Sequence, residues 1–215
     1  DKGPISGIAD LFDSRGLDVS NEEMTVSIVG TNYSVKTNLD GFYYFPSVPL
    51  DDYTLEYAKE GFGTFYKQVN HNKGFSQNGT EVIGLSLGKI STTTIYEAIP
   101  EQENGNIKIR IVTNPVGSST SPVYVSIFFH TENSISNTVN VGAKSSIGFF
   151  SGNTSNVVTI TAQELSDLGF NSGDEVFFRV YGDSYHTNEY EGENGESIHP
   201  NAKQPGSSIM SLVLN

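Results

Sequence analysis

The dipeptide Asp40-Gly41 is the sequence feature that most constrains the fold. It stands between two β-rich segments, and Asp-Gly is typical of a tight hairpin turn because glycine reaches positive φ without strain. In the segment that follows, Tyr43 and Phe45 alternate with Phe42 and Tyr44. Since a single core covers only one face of such a strand, the pattern predicts a hairpin at this turn with one aromatic pair buried.

Short β-rich segments recur through the first hundred residues, and glycine- or proline-containing turns separate them. They cover residues 4–11, 24–29, 33–37, 42–45, 53–57, 65–69, 81–87 and 92–98, with a polar loop at residues 70–79. Many short strands with turns at regular spacing predict a β-sandwich.

Several motifs in this region together resemble one known family. In chain order they are Ile5-Ser6-Gly7, Asp10, Gly16, Val26–Ile28, Gly30, Thr37, Asp40-Gly41, Tyr43, Phe45, Tyr53-Thr54-Leu55 and Gly61-Phe62. Their order and spacing resemble the carboxypeptidase regulatory-like domain, a prealbumin-like β-sandwich. Asp51-Asp52 departs from that pattern, in which glycine usually precedes the tyrosine of the Tyr-x-Leu strand. The resemblance implies a non-catalytic module of the kind often found on exported or surface proteins of bacteria, and it carries no catalytic residue.

A second series of strand patterns follows the short polar segment at residues 101–106. These strands are expected at residues 107–112, 123–130, 138–150, 157–161, 175–181 and 208–214. Thr161-Ala162-Gln163-Glu164 is a capping-box sequence and predicts a short helix that ends at Gly169. This order resembles an immunoglobulin or fibronectin type III-like domain. The sequence therefore predicts an all-β chain of two consecutive β-sandwich domains, residues 1–99 and 105–215.

Composition excludes several functional classes. Twelve basic residues stand against 25 acidic ones, for a net charge of −13, which argues against nucleic acid and anionic membranes as partners. The chain has no cysteine, so disulfides, thiolate catalysis and cysteine-based metal sites are excluded. No apolar run is long enough to cross a bilayer. The start at Asp1 without methionine would fit a removed leader or a trimmed chain, and a lipid-anchor cysteine upstream would fit a surface protein.

Two patterns imitate catalytic motifs. Gly84–Gly88 matches G-x-S-x-G, but the β-rich residues after it do not form the helix that a nucleophile elbow requires. His186, Glu189 and His199 imitate zinc ligands, but they lie in a polar loop without a rigid element to hold them. An isopeptide-linked adhesin would need a lysine in the first strand, and the predicted strand at residues 4–11 has none. The sequence predicts no enzyme and no catalytic residue.

Residues 182–206 form a long acidic connection between the last two predicted strands. Connections of this length are often functional, and its composition predicts an exposed loop. The candidate ligand-binding residues are its carboxylates and tyrosines: Asp183, Tyr185, Glu189, Tyr190 and Glu191. With Asn188 and Asn194 the carboxylates could hold calcium, could contact a protein or glycan, or could simply be hydrated. The same three alternatives apply to Asp10, Asp13 and Asp18 in the first turn.

Phe42 and Tyr44 are the other candidate ligand-binding residues. Exposed aromatic rings beside carboxylates commonly bind carbohydrate or protein, although a neighbouring domain or loop could cover these two. We expect a non-catalytic binding, adhesion or scaffold protein at the bacterial outer surface or in the periplasm, with a protein or glycan as partner. The alternative is an accessory module of a larger surface enzyme or nutrient-uptake system.

Overall fold

The structure is a computed structural model that describes residues 1–72, 79–193 and 195–215. The predicted polar loop at residues 70–79 lies mostly outside this range, as does Asn194. The elements are, in order, β1 Lys2–Phe12, β2 Thr25–Ile28, β3 Ser34–Lys36, β4 Phe42–Pro49, β5 Asp52–Ala58, β6 Phe65–Asn70, β7 Thr80–Gly88, β8 Thr94–Glu103, β9 Asn106–Asn114, β10 Val123–His130, β11 Gly142–Phe149, β12 Asn156–Ile160, α1 Ala162–Asp167, β13 Glu175–Asp183, β14 Tyr190–Glu191, β15 Ser197–Ile198 and β16 Met210–Val213. The predicted all-β class is confirmed.

The first sandwich, β1–β7, pairs a sheet of order β4-β1-β7 with a sheet of order β3-β2-β5-β6. Alternating side chains of both sheets meet in one apolar core. Tyr43 and Phe45 are each 1% exposed, whereas Phe42 and Tyr44 face solvent. The hydroxyl oxygens of Tyr43 and Tyr57 lie 2.6 Å apart and link the two sheets inside the core. The prediction that one aromatic pair of β4 is buried is confirmed.

The turn at Asp40-Gly41 forms, but the predicted hairpin is wrong. Gly41 has a φ of +75°, and its amide donates to the Asn38 carbonyl at 2.9 Å. Strand β3 then pairs with β2, while β4 pairs with β1 in the other sheet. The turn is therefore a corner between two sheets. The turn residues specify the local backbone conformation. The pairing of β3 with β2 and of β4 with β1 depends on residues elsewhere in the sequence.

The second sandwich pairs a sheet of order β11-β10-β13-β16 with a sheet of order β12-β9-β8. Isoleucine, valine and phenylalanine side chains from both sheets form its core. Helix α1 begins after Thr161, which forms the predicted capping box with Glu164, and Leu165 is its buried residue. Gly169 follows the helix with a φ of +91°. The predicted helix and both of its signals are confirmed.

The polar residues 101–106 lie in the β8–β9 hairpin, and Asn104 and Gly105 take positive φ at its tip. Strand β8 pairs with β9 along its length, and Ile95 and Ala98 pack on the second core. The division of the chain into two domains stays a prediction. From this pairing we propose that the second domain begins at β8.

Candidate functional site

Residues 182–206, termed the excursion, were predicted to be exposed, and this is wrong for much of their length. Five polar residues of the excursion are at most 5% exposed: Asp183, Ser184, Asn188, His199 and Asn201. The excursion leaves β13 in the second sandwich and packs against the backbone of the first. Asn188 and Asn201 serve that contact, because buried backbone groups require hydrogen-bond partners.

Two asparagine side chains contribute five hydrogen bonds to this contact. The Asn188 side-chain amide donates to the carbonyls of Gly63 and Gly88, both at 3.1 Å, and its oxygen accepts from the Gly88 amide at 2.7 Å. The Asn201 side chain accepts from the Gly63 amide and donates to the Gly88 carbonyl, both at 2.9 Å. Together they form hydrogen bonds with the backbone amide and carbonyl groups of both Gly63 and Gly88 in the first sandwich.

Replacing Asn188 by alanine is expected to lower the free energy of unfolding by about 3 kcal/mol, because the buried Gly63 carbonyl and Gly88 amide lose their hydrogen bonds to this side chain. Urea unfolding followed by far-UV circular dichroism measures the loss. Asn153→Ala is the matched control, since Asn153 is exposed. Equal midpoints for the two variants would show that the Asn188 contacts do not stabilise the fold.

The excursion also contains a small β-ribbon, formed by β14 and β15, which pair antiparallel. The Tyr190 ring on the ribbon packs against two rings of β6, with centroids 6.1 Å from Phe65 and 5.3 Å from Tyr66. The Ser197 hydroxyl donates to the Glu189 carboxylate at 2.5 Å. These contacts fix the ribbon beside the β5–β6 pair of the first sandwich.

A cleft of about 520 Å³ lies between the ribbon and the first sandwich. Two half-buried tyrosine rings, neutral polar side chains and three carboxylates line it; its residues are Val29, Thr54, Tyr66, Gln68, Tyr190, Glu191, Gly192, Glu193, Glu196 and Ile198. The Thr54 hydroxyl donates to the Gln68 side-chain oxygen at 3.1 Å. The Tyr66 hydroxyl donates to the Glu56 carboxylate at 2.8 Å, a bond that raises the pKa of Tyr66 to about 12. These hydrogen bonds orient the polar groups of the cleft wall.

The structure brings together only some of the predicted site residues. Tyr190 and Glu191 line the cleft, and Glu189 lies in an adjoining, more open depression of about 410 Å³ that Tyr190 and Glu191 also line. Tyr185 is 51% exposed and packs instead on Tyr124, with ring centroids 5.4 Å apart. Whether any of these residues binds a ligand stays a prediction.

Asp183 lies away from the cleft and is only 1% exposed. It accepts hydrogen bonds from the Ser126 hydroxyl at 2.5 Å and the Ser184 amide at 2.8 Å. Burial raises the pKa of Asp183 to about 7, and the nearby charge of Glu189 acts in the same direction. This carboxylate is therefore part of the interior, although the sequence placed it in an exposed loop.

Phe42 and Tyr44 form a separate exposed pair on the outer face of the β4-β1-β7 sheet. They are 42% and 48% exposed, and their ring centroids lie 6.4 Å apart with planes 17° from parallel. Ile8, opposite Phe42 on β1, is also exposed. No described segment of the chain covers this pair.

The motifs that imitate catalytic sites have structural explanations. Ser86 lies within β7, so the strand prediction for Gly84–Gly88 is confirmed. His186 packs on Phe12 with ring centroids 4.3 Å apart, whereas His199 is buried against Phe128. Among the described residues, no group of three or more histidine or acidic side chains is placed to hold a metal ion. In the first turn, the Asp13 carboxylate is engaged by Arg15.

Sequence reasoning missed the part of the cleft that the first sandwich supplies. Thr54, Tyr66 and Gln68 were interpreted only as strand residues, whereas Glu193 and Glu196 were among the loop carboxylates considered for calcium. The outward position of Tyr66 next to inward Phe65 is the one local signal. Nothing in the local pattern indicates that a ribbon from the other end of the chain covers it.

No family model matches the chain, and no curated protein matches it. The resemblance to the carboxypeptidase regulatory-like domain is therefore not confirmed. No helix within the described ranges is long and apolar enough to cross a membrane.

Solved structures match the chain along its length at low identity. A candidate carbohydrate-binding protein from Bacteroides uniformis is 12% identical, with 98% of this chain and 99% of that chain covered and a TM-score of 0.37. A DUF3823 family protein from Bacteroides ovatus is 16% identical, with 100% of both chains covered and a TM-score of 0.37. A DUF3823 family protein from Parabacteroides merdae is 10% identical, with 98% of both chains covered and a TM-score of 0.35. At this similarity the matches assign neither a family nor a ligand to the chain.

Proposed function

We propose that the protein is a non-catalytic binding module that holds a carbohydrate chain in the cleft between the ribbon and β5–β6. The observation that carries the proposal is the pairing of half-buried Tyr66 and Tyr190 rings with the oriented Thr54–Gln68 pair in one concave site. A sugar ring has an apolar face that stacks on an aromatic ring and hydroxyl groups that need hydrogen-bond partners. The cleft offers both kinds of contact side by side.

In this proposal the two sandwiches form a rigid support for the cleft. We propose a prealbumin-like first domain of the carboxypeptidase regulatory-like kind and an immunoglobulin-like second domain. The protein works outside the cell, at the bacterial surface or in the periplasm, as a binding, adhesion or scaffold unit. The acidic net charge of −13 supports a partner other than nucleic acid. An accessory module of a larger surface enzyme or nutrient-uptake system is the alternative role.

A glycan array followed by titration calorimetry with the best binder tests the proposal. Tyr66→Ala is expected to weaken binding at least about tenfold, since one stacking surface is removed. Tyr96→Ala is the matched control, because Tyr96 is 83% exposed on β8 and lies outside the cleft. Unfolding midpoints confirm that both variants remain folded.

The exposed pair Phe42 and Tyr44 is the second candidate site for the same function. If Phe42→Ala abolishes glycan binding while Tyr66→Ala leaves it unchanged, the ligand lies on the β4-β1-β7 sheet and the cleft proposal is wrong. If no glycan binds, carbohydrate binding itself is refuted. Measurable hydrolysis of a bound glycan would contradict the non-catalytic part of the proposal.

A further inference from the structure

We infer that the cleft selects glycans that carry free amino groups. The inference rests on the proposed function, because it names the class of carbohydrate that the same site takes. The cleft and its two tyrosine rings define the site. The charges around it decide which glycan is bound most tightly.

All charged side chains among the described lining residues are negative. Glu191, Glu193 and Glu196 line the cleft, and no lysine or arginine does so. A fourth carboxylate, on Glu56, lies beside the cleft and accepts the hydrogen bond from the Tyr66 hydroxyl. A ligand that enters the cleft therefore meets a negative potential, mainly from the ribbon side.

The backbone of the ribbon turn holds two of these carboxylates near the cleft. The Gly192 amide donates to the Glu196 carbonyl at 2.8 Å, and the Gly195 amide donates to the Gly192 carbonyl at 3.1 Å. The Glu196 side chain lies directly over Gly192, where a Cβ atom would come 2.6 Å from its carboxyl carbon. A carboxylate oxygen of Glu191 lies 3.9 Å from the place of a Cβ atom on Gly195. Both side chains therefore lie against the turn that borders the cleft.

The negative charge of Glu196 acts on Tyr190, one of the two aromatic residues of the cleft. Burial raises the pKa of Tyr190, and the charge of Glu196 raises it further. An ammonium group beside this ring would pair with a carboxylate and with the electron-rich ring face at the same time. A neutral sugar gains only stacking and hydrogen bonds, and an acidic sugar is repelled. The arrangement therefore favours an amino sugar over its neutral and acidic counterparts.

The neutral polar groups of the cleft favour a glycan over a basic peptide. Thr54 and Gln68 form a hydrogen-bonded pair in the wall next to the tyrosine rings. Sugar hydroxyl groups can use both the donor and the acceptor atoms of such a pair. A lysine side chain offers donors only and can pair only with the acceptor atoms of these groups.

Titration calorimetry with a matched set of oligomers tests the inference. The set comprises a β-1,4-linked glucosamine hexamer, its fully N-acetylated form, cellohexaose, a galacturonic acid hexamer and hexalysine. We expect the glucosamine hexamer to bind at least about tenfold tighter than the acetylated and neutral hexamers, and we expect added salt to reduce this difference. The galacturonic acid hexamer is expected not to bind.

Glu193→Gln and Glu196→Gln supply the residue-level test. Each is expected to weaken binding of the glucosamine hexamer about five- to tenfold while leaving cellohexaose binding unchanged. Glu101→Gln is the control, because Glu101 is an exposed carboxylate on β8 outside the cleft. Equal loss for both ligands would show that the carboxylates shape the cleft and do not select charge, which would overturn the inference.

The outcomes separate this inference from the proposed function. If the neutral hexamers bind as tightly as the glucosamine hexamer, the selection for amines is refuted and the carbohydrate-binding function stands. If none of the glycans binds, the proposed function fails as well. If hexalysine binds more tightly than the glucosamine hexamer, the cleft is a site for basic peptides and the inference is wrong.

Discussion

Replacing Gly41 by valine is expected to lower the free energy of unfolding by about 4 kcal/mol. Gly41 has a φ of +75°, a conformation that a β-branched residue strongly resists. An added Cβ atom would also lie 2.4 Å from the Ala9 carbonyl oxygen. Ala9 cannot move away easily, because its amide donates to the Gly41 carbonyl at 3.0 Å. The substitution therefore combines backbone strain with a clash against the central strand β1.

Gly30→Val separates these two causes. Gly30 has nearly the same φ, +76°, but an added Cβ atom there meets nothing within 4 Å. We expect this control to lose only about 1–2 kcal/mol, the strain contribution alone. Urea unfolding followed by circular dichroism measures both variants, since the chain contains no tryptophan. Equal losses at the two positions would show that the close approach to Ala9 has no energetic effect.

The contribution of Asp183 to the stability of the protein is expected to fall as the pH rises from about 4 to about 7. In the folded state burial raises the pKa of Asp183 to about 7, from an ordinary value of 3.8. Between these two values the folded state holds a proton that the unfolded chain has lost, so each increase in pH favours unfolding. Because one pKa unit corresponds to about 1.4 kcal/mol, the full change is on the order of 4 kcal/mol. Below this window the stabilisation by the neutral carboxyl group is complete.

Asp183→Asn tests this pH dependence, because an amide can keep a hydrogen bond to Ser126 without ionising. We expect the variant to lose the decline in stability and to be more stable than the wild type at pH values above about 7. Asp52→Asn changes an exposed carboxylate and serves as the control. Urea unfolding across the pH range gives the three profiles. Parallel profiles for the wild type and Asp183→Asn would contradict the assignment to this residue.

The sequence predicted those features of the fold that depend on neighbouring residues. Alternation in Phe42–Phe45 identified the buried face of β4, and the capping box identified the start of α1, because both signals act within a few residues. The hairpin at Asp40-Gly41 was wrong because a turn sequence specifies backbone angles and does not specify which strand lies alongside. Pairing of β4 with β1 depends on residues far away in the sequence.

The candidate site could be predicted only in part, for the same reason. The acidic character of the excursion was evident, and Tyr190 and Glu191 were selected from it. Acidic composition predicted exposure, yet Asn188 and Asn201 are buried because they pair backbone groups of the first sandwich. Tyr66 was not selected, because its outward position in β6 indicates only partial exposure and its partner ring comes from a distant part of the chain.

The asparagine contacts of the excursion can form only late in the synthesis of the chain. They join residues separated by 100 to 138 positions, so that Gly63 and Gly88 leave the ribosome long before Asn188 and Asn201 exist. Until then their amides and carbonyls are hydrogen-bonded to water, and the first sandwich folds with one side unfinished. Contacts of such long range are slow to form. A chain that ends before Asn201 is therefore expected to be cut by proteases more readily than a chain that includes it.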